Sequence, residues 1–196
     1  MLQAIDALPD IPAAELPGVY LEVRSRIDER LKKGSLDASG LTLLRVAETP
    51  DPGGTEERAT VFATAKGIEK LRKKVEQFRT EDTPDREKDG EFIPGRPKNA
   101  DLVQSVAAIT EAGLRALWRS PSGKFPAADV ATIWEVWLEP QMTEGFVAAA
   151  PNYGVTVGAD RLEFPEDIVV IVEADRNQLA QAVRRLGGVQ IGRAHV

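Results

Sequence analysis

The chain has 196 residues, 42% of them hydrophobic and 29% charged, enough to bury a real core, and its composition is that of an ordinary globular protein. No apolar run approaches the length that spans a bilayer, and the start MLQAIDALPDIPAAELPG lacks a basic region followed by a long apolar one, so neither a membrane segment nor a secretory leader is expected. A net charge of −6 is the wrong sign for a generic phosphate-backbone binder, and zero cysteines exclude disulfides, thiolate nucleophiles and Cys-ligated zinc, which fits a reducing, cytoplasmic setting.

After an N-terminal extension over residues 1–17, GVYLEVRSR alternates Val19, Leu21 and Val23 with Tyr20, Glu22 and Arg24, the pattern of a half-buried strand. IDERLKKG then predicts a short helix stopped at Gly34. GLTLLRV (Gly40 to Val46) and RATVFAT (Arg58 to Thr64) read as strands separated by the turn-forming ETPDPGG. A helix from about Lys66 to Phe78 closes this unit; its cations lie opposite Ile68, Leu71, Val75 and Phe78 and read as a solvated face. Residues 81–99 are polar and rich in Pro and Gly, the signature of a linker. From Asp101 to about Trp118, Leu102, Val106, Ile109, Gly113 and Leu117 share one helical stripe and predict a bridging helix over residues 100–118.

The same order returns in the second half. IWEVWL (Ile133 to Leu138) reads as a strand, TEGFVAAA as a helix, GVTVG and RLEF as one strand or a bent pair, and IVVIVEA as a strand buried in mid-sheet. The final helix carries Leu179, Ala182, Val183 and Leu186 on one face, and Asp175 with Gln178 forms a capping-box start. The expected fold class is therefore α+β: two tandem ferredoxin-like (split β-α-β) units, each β-α-β-β-α, over residues 18–80 and 130–190, joined by the linker and the bridging helix.

Chemistry-bearing patterns are sparse. Asp85, Glu87, Asp89 and Gly90 imitate the start of a calcium loop, but its twelfth position is Arg96, and Pro94 and Pro97 stand where an exit helix would begin. Glu166 and Asp167 read as turn residues rather than a general acid and base, and RSPSGK around Ser120 and Ser122 as a turn. No phosphate loop, dinucleotide fingerprint or serine elbow occurs, so no catalytic residue, metal site or cofactor is expected. Trp134 and Trp137 stand on opposite faces of one strand, and whichever is exposed is the candidate docking surface.

The segments GVYLEV, RATVFAT, GRPKNADLVQSVAAIT, LRALW, IWEVWL and FPEDIVVIVEA, in this order, resemble the N-terminal region of a group of bacterial subtilisin-like serine peptidases. The resemblance covers about Leu16 to Gln190, and its most specific parts are the PKN-helix-LW run and the WEVWL strand. It implies a regulatory, prodomain-like region whose partners are its own peptidase domain and an AAA-type ATPase, with no nucleic acid and no membrane among them. The family's Asp-Thr-Gly, His-Gly-Thr and Gly-Thr-Ser-Met-Ala motifs are all missing, so the resemblance places no catalytic residue on this sequence. A free-standing interaction module with tandem ferredoxin-like units is the alternative. The last six residues, Ile191 to Val196, match the translation of a common sequencing-library adapter, and they are expected to be a foreign tail outside the fold that replaces the last strand.

Overall fold

The computed structural model describes residues 17–88, 90–119, 125–187 and 189–195. Contacts divide the described residues into two compact units, 21–111 and 112–195 together with 17–20.

The first unit runs β1 (Val19–Ser25), α1 (Lys33–Asp37), β2 (Leu41–Asp51), β3 (Gly54–Ala63), α2 (Ala65–Thr80), a small hairpin of β4 (Arg86–Lys88) and β5 (Glu91–Ile93), α3 (Ala100–Ser105) and β6 (Val106–Glu111). Its sheet has the order β2-β3-β1-β6, which is the split β-α-β arrangement of a ferredoxin-like fold. Leu21 and Val23, Ala59 and Val61, and Ile68, Leu71 and Val75 of α2 fill the core. At the close approach of α2 to the end of α1, a Cβ on Gly67 would stand 2.6 Å from the Gly40 carbonyl oxygen, so the contact requires glycine.

Two expectations are corrected in this unit. The helix expected over IDERLKKG does not form; α1 begins at Lys33, beside the glycine expected to end it. The backbone of the preceding segment is bound sideways instead. The Asp28 N–H donates to the Thr55 carbonyl at 2.8 Å, the Asp28 carboxylate accepts the Thr55 N–H at 3.0 Å, and the Glu57 carboxylate accepts the Leu31 N–H at 2.8 Å. With Asp28 at φ 60 and Leu31 buried, these amides satisfy β3 rather than a helix.

The expected bridging helix over residues 100–118 is likewise absent. α3 ends at Ser105, and the next six residues are β6, the fourth strand that each predicted unit lacked. β6 pairs antiparallel with β1, but the register slips: Ser25 faces Val106, Arg24 faces Ala108 and Val23 faces Ile109. That bulge puts two inward residues three apart, the spacing of a helix face, and so disguises a strand. The linker expected over residues 81–99 contains the β4–β5 hairpin, and its ends are fastened together. The Thr83 N–H donates to the Arg96 carbonyl at 2.8 Å, and Lys98 pairs with Glu81 at 2.6 Å.

The second unit contains a short helix α4 (Leu114–Leu117), β7 (Thr132–Leu138), α5 (Pro140–Ala149), a 3-10 turn (Ala150–Tyr153), β8 (Thr156–Glu163), β9 (Ile168–Ala174), α6 (Arg176–Leu186) and β10 (Val189–His195). The order β10-β7-β9-β8 repeats the first sheet's topology, so the chain is an α+β protein with tandem ferredoxin-like units. GVTVG and RLEF merge into the single strand β8, with an irregular register between Val157 and Arg161. α6 starts with the predicted capping box, in which the Asp175 carboxylate accepts the Asn177 and Gln178 N–H groups. Phe146 of α5 and Leu179 and Val183 of α6 cover one face of the sheet.

The tail expected to lie outside the fold is also corrected. Val189, Gln190 and Ile191 pair with Leu138, Trp137 and Val136, and Ile191 is fully buried. Val189 and Ile191 alternate inward as core strand residues do, and β10 is the fourth strand. The Val189 N–H donates to the hydroxyl of the buried Tyr20 at 2.7 Å, and burial drives the Tyr20 phenol well above its ordinary pKa of 10.0. Among the described residues, no helix is long and apolar enough to cross a membrane.

Candidate functional site

Alternation along β7 sends Trp134 and Trp137 to opposite faces, and the structure gives them different work. Trp134 is completely buried, and its indole N–H donates to the Ala174 carbonyl at 2.9 Å. Its ring meets Trp118 edge-on at 5.8 Å and Phe125 at 6.2 Å, while the Arg115 and Arg176 guanidinium carbons stand 5.4 and 5.2 Å from the Phe125 centroid. A side chain committed to this core offers nothing to a partner, so Trp134 drops out as a docking residue.

Trp137 lies on the face that α5 and α6 leave open. Phe164 stacks on it with centroids 5.4 Å apart and planes 12° from parallel, and the Arg119 guanidinium sits 5.3 Å from its ring centre. Trp137 is opposite Val169, which is opposite Leu162, so these three share the face. Leu162 is 60% exposed, Phe164 48% and Ile133, on the same side of β7, 44%. The indole nitrogen of Trp137 is buried with no hydrogen-bond acceptor among the described residues. The result is an aromatic and aliphatic patch on the sheet face opposite α5 and α6, rimmed by exposed Glu173 and Arg119. Sequence reasoning missed Phe164, Leu162, Ile133 and Arg119. The two-residue spacing of Leu162 and Phe164 is a signal, but it becomes readable only once β8 is known to be an edge strand beside β9.

The corresponding face of the first sheet is ionic. Glu56 is buried there between Arg58, at 2.9 Å, and Arg24, at 3.6 Å. Such a surface is self-satisfied, and the apolar patch of the second unit is the stronger candidate.

The remaining sequence candidates are dispersed. Asp85 uses its carboxylate to accept the Gly95 N–H at 2.7 Å, closing the base of the hairpin, while Asp89 lies outside the described residues. Glu166 and Asp167 form the β8–β9 turn, where the Phe164 N–H donates to the Asp167 carbonyl. Ser120 and Ser122 lie outside the described residues, and no group of three His, Cys, Asp or Glu side chains able to hold a metal occurs among the described ones.

No protein-family model and no curated protein matches the chain. Among solved structures, an unknown protein from Galdieria sulphuraria is similar at TM-score 0.27 and 10% identity, over 91% of this chain and 97% of that one. A protein described as a candidate glycine cleavage system transcriptional repressor is similar at TM-score 0.27 and 9% identity, over 91% and 96%. The ligand-free regulatory subunit of aspartate kinase from Thermus thermophilus is similar at TM-score 0.25 and 13% identity, over 87% and 90%. Likenesses at this level carry no argument about what the chain does.

Proposed function

We propose that this chain is a non-catalytic binding and regulatory module, and specifically the N-terminal prodomain-like region of a cytoplasmic subtilisin-like serine endopeptidase. The observation that carries the binding role is the Trp137–Phe164 stack with Leu162 and Ile133 on the open face of the second sheet. An exposed aromatic cluster with an aliphatic surround is the composition of an interface centre, where one anchoring Trp commonly contributes about 2 kcal/mol or more, about 30-fold in affinity. The lack of cysteine, and a single histidine placed at position 195, are consistent with a chain that binds rather than catalyses. The peptidase assignment rests on the residue resemblance alone. In this reading a peptidase domain beyond this chain performs acyl transfer, and the present chain orients or restrains it.

The test has two steps. Sequencing the source gene across the codons for Gly188 to Val196 and onward should find a frame that continues into the Asp-Thr-Gly, His-Gly-Thr and Gly-Thr-Ser-Met-Ala motifs. The peptidase domain so identified should bind this chain, and Trp137→Ala with Phe164→Ala should weaken that binding at least tenfold. A stop codon there sinks the peptidase reading and leaves the free-standing interaction module. Binding indifferent to both substitutions removes the patch as the docking surface. Co-purification with an AAA-type ATPase tests the second partner that the resemblance implies.

A further inference from the structure

The first unit carries a second surface of different chemistry. Around α2, Lys66, Lys70 and Lys74 follow one another at intervals of four residues, with Lys73 and Gln77 beside them, so four ammonium groups share one side of the helix. Lys66, Lys70 and Lys73 are exposed, and Lys74 is half-buried. None of the four forms an ion pair among the described residues, and several nearby acids pair with other cations, although Glu81 also acts on Lys73 through space. Glu76 pairs with Arg79 at 3.6 Å, Glu81 with Lys98 at 2.6 Å, Asp101 with Arg96 at 2.8 Å and Glu57 with Lys33 at 3.4 Å. Glu69 stands on the flank, about 60° around the helix from Lys66 and one turn before Lys73, about 40° from it. Lys74 instead donates to two uncharged oxygens, the Ser35 carbonyl at 3.0 Å and the Ser39 hydroxyl at 2.8 Å. Burial, and then the neighbouring Lys70, hold its ammonium below the ordinary lysine range. In a chain of net charge −6, three exposed lysines and a half-buried fourth on one ridge form a local positive field, flanked by Glu69 and Glu81.

We propose that this lysine ridge binds an acidic, extended segment of a partner protein. The repeat fits that occupant: lysines four residues apart on a helix advance about 6 Å, and alternate side chains of an extended peptide on one side advance about 6.6 Å. Asp or Glu two positions apart in an extended stretch therefore matches the exposed Lys66 and Lys70 in turn, with the exposed Lys73 beside them. Nucleic acid fits less well, because no aromatic side chain interrupts the ridge to stack a base.

The probe is a fluorescein-labelled peptide, Glu-Ser-Glu-Ser-Glu-Ser-Glu, titrated with the full chain by anisotropy. Binding should weaken at least tenfold in the K66Q/K70Q/K73Q variant, and comparably when salt rises from about 50 to about 300 mM. Lys74 is retained because it fastens α1. Far-UV circular dichroism and the urea midpoint should match the parent, since the three replaced groups are exposed. Independently of any variant, lysine side-chain NMR of the parent should place the peptide-induced shifts on α2 and raise the Lys74 pKa. Affinity unchanged by the triple substitution, shifts on another surface, or tighter binding of an oligothymidylate of equal charge would each overturn the proposal.

Discussion

Replacing either β7 tryptophan by phenylalanine is the same chemical change, yet the two sites should respond with different magnitudes. At position 134 the change strands the buried Ala174 carbonyl that the indole N–H satisfied, a loss of about 1–3 kcal/mol. The smaller ring also leaves a gap in a fully enclosed site among Trp118 and Phe125, adding about 1 kcal/mol. Trp134→Phe should therefore destabilise the second unit by about 2–4 kcal/mol. At position 137 the deleted N–H is a buried donor with no acceptor, so its removal relieves a penalty that offsets the weaker stacking of the smaller ring on a half-open face. Trp137→Phe should leave stability within about 1 kcal/mol of the parent. Urea unfolding followed by far-UV circular dichroism, which does not depend on tryptophan emission, measures both. Equal costs at the two sites, or a larger one at 137, would refute the assignment of one residue to the core and the other to the open face.

Tyr20→Phe should cost about 1–3 kcal/mol by leaving the buried Val189 N–H unsatisfied, and thermal melts will read it. Because burial raises the Tyr20 pKa in the fold, its contribution is complete below the unfolded value of 10.0 and fades as pH rises beyond it; the phenylalanine variant should lack that component of alkaline instability. Gly67→Ala would bring a Cβ to 2.6 Å from a backbone oxygen, so α2 must shift, and a loss of about 1–3 kcal/mol is expected in urea melts despite the better helix propensity of alanine. Hydrogen bonds from Arg96 to Asp101 and from Lys98 to Glu81 hold those two carboxyls below their ordinary pKa values. The clamp at the base of the β4–β5 hairpin is accordingly intact above the normal carboxylate range and loosens as pH falls through the lowered values. Amide protection over residues 83–98, corrected for intrinsic exchange, should decline there before that of β1.

Legibility follows the strength of local pattern. β1 declares itself by alternation, and β9 by an unbroken apolar run that two neighbouring strands and the covering helices use up. Asp175 and Gln178 mark the start of α6 because a capping box is a contract between residues three apart. The failures are non-local. Leu31 and Asp28 spend their amides on β3, twenty-six or more residues later, and no helix propensity reveals that. Val106 and Ile109 look helical because a bulge against β1 spaces them by three. Ile191 reads as tail because its inward direction is set by pairing with Val136 on β7. For the candidate surface, the sequence supplies Trp137, but the stack with Phe164 arises from the β8–β9 turn returning beside β7.

The excursion between α2 and α3 bears on how quickly each sheet can close. Leu21 must find Glu111, about ninety residues away, whereas Leu138 meets Val189 after only about fifty. Loop-closure entropy grows with the logarithm of length, so the nineteen residues from 81 to 99 lengthen that search at a cost of about 0.2 kcal/mol. Their effect on stability is slight, and the long return to β6 is the slow step expected in closing the first sheet. During synthesis, β1 waits beside β3 with one edge unpaired until β6 emerges. The hairpin, by drawing its two ends together through Thr83 and Arg96, shortens the effective loop that must then close.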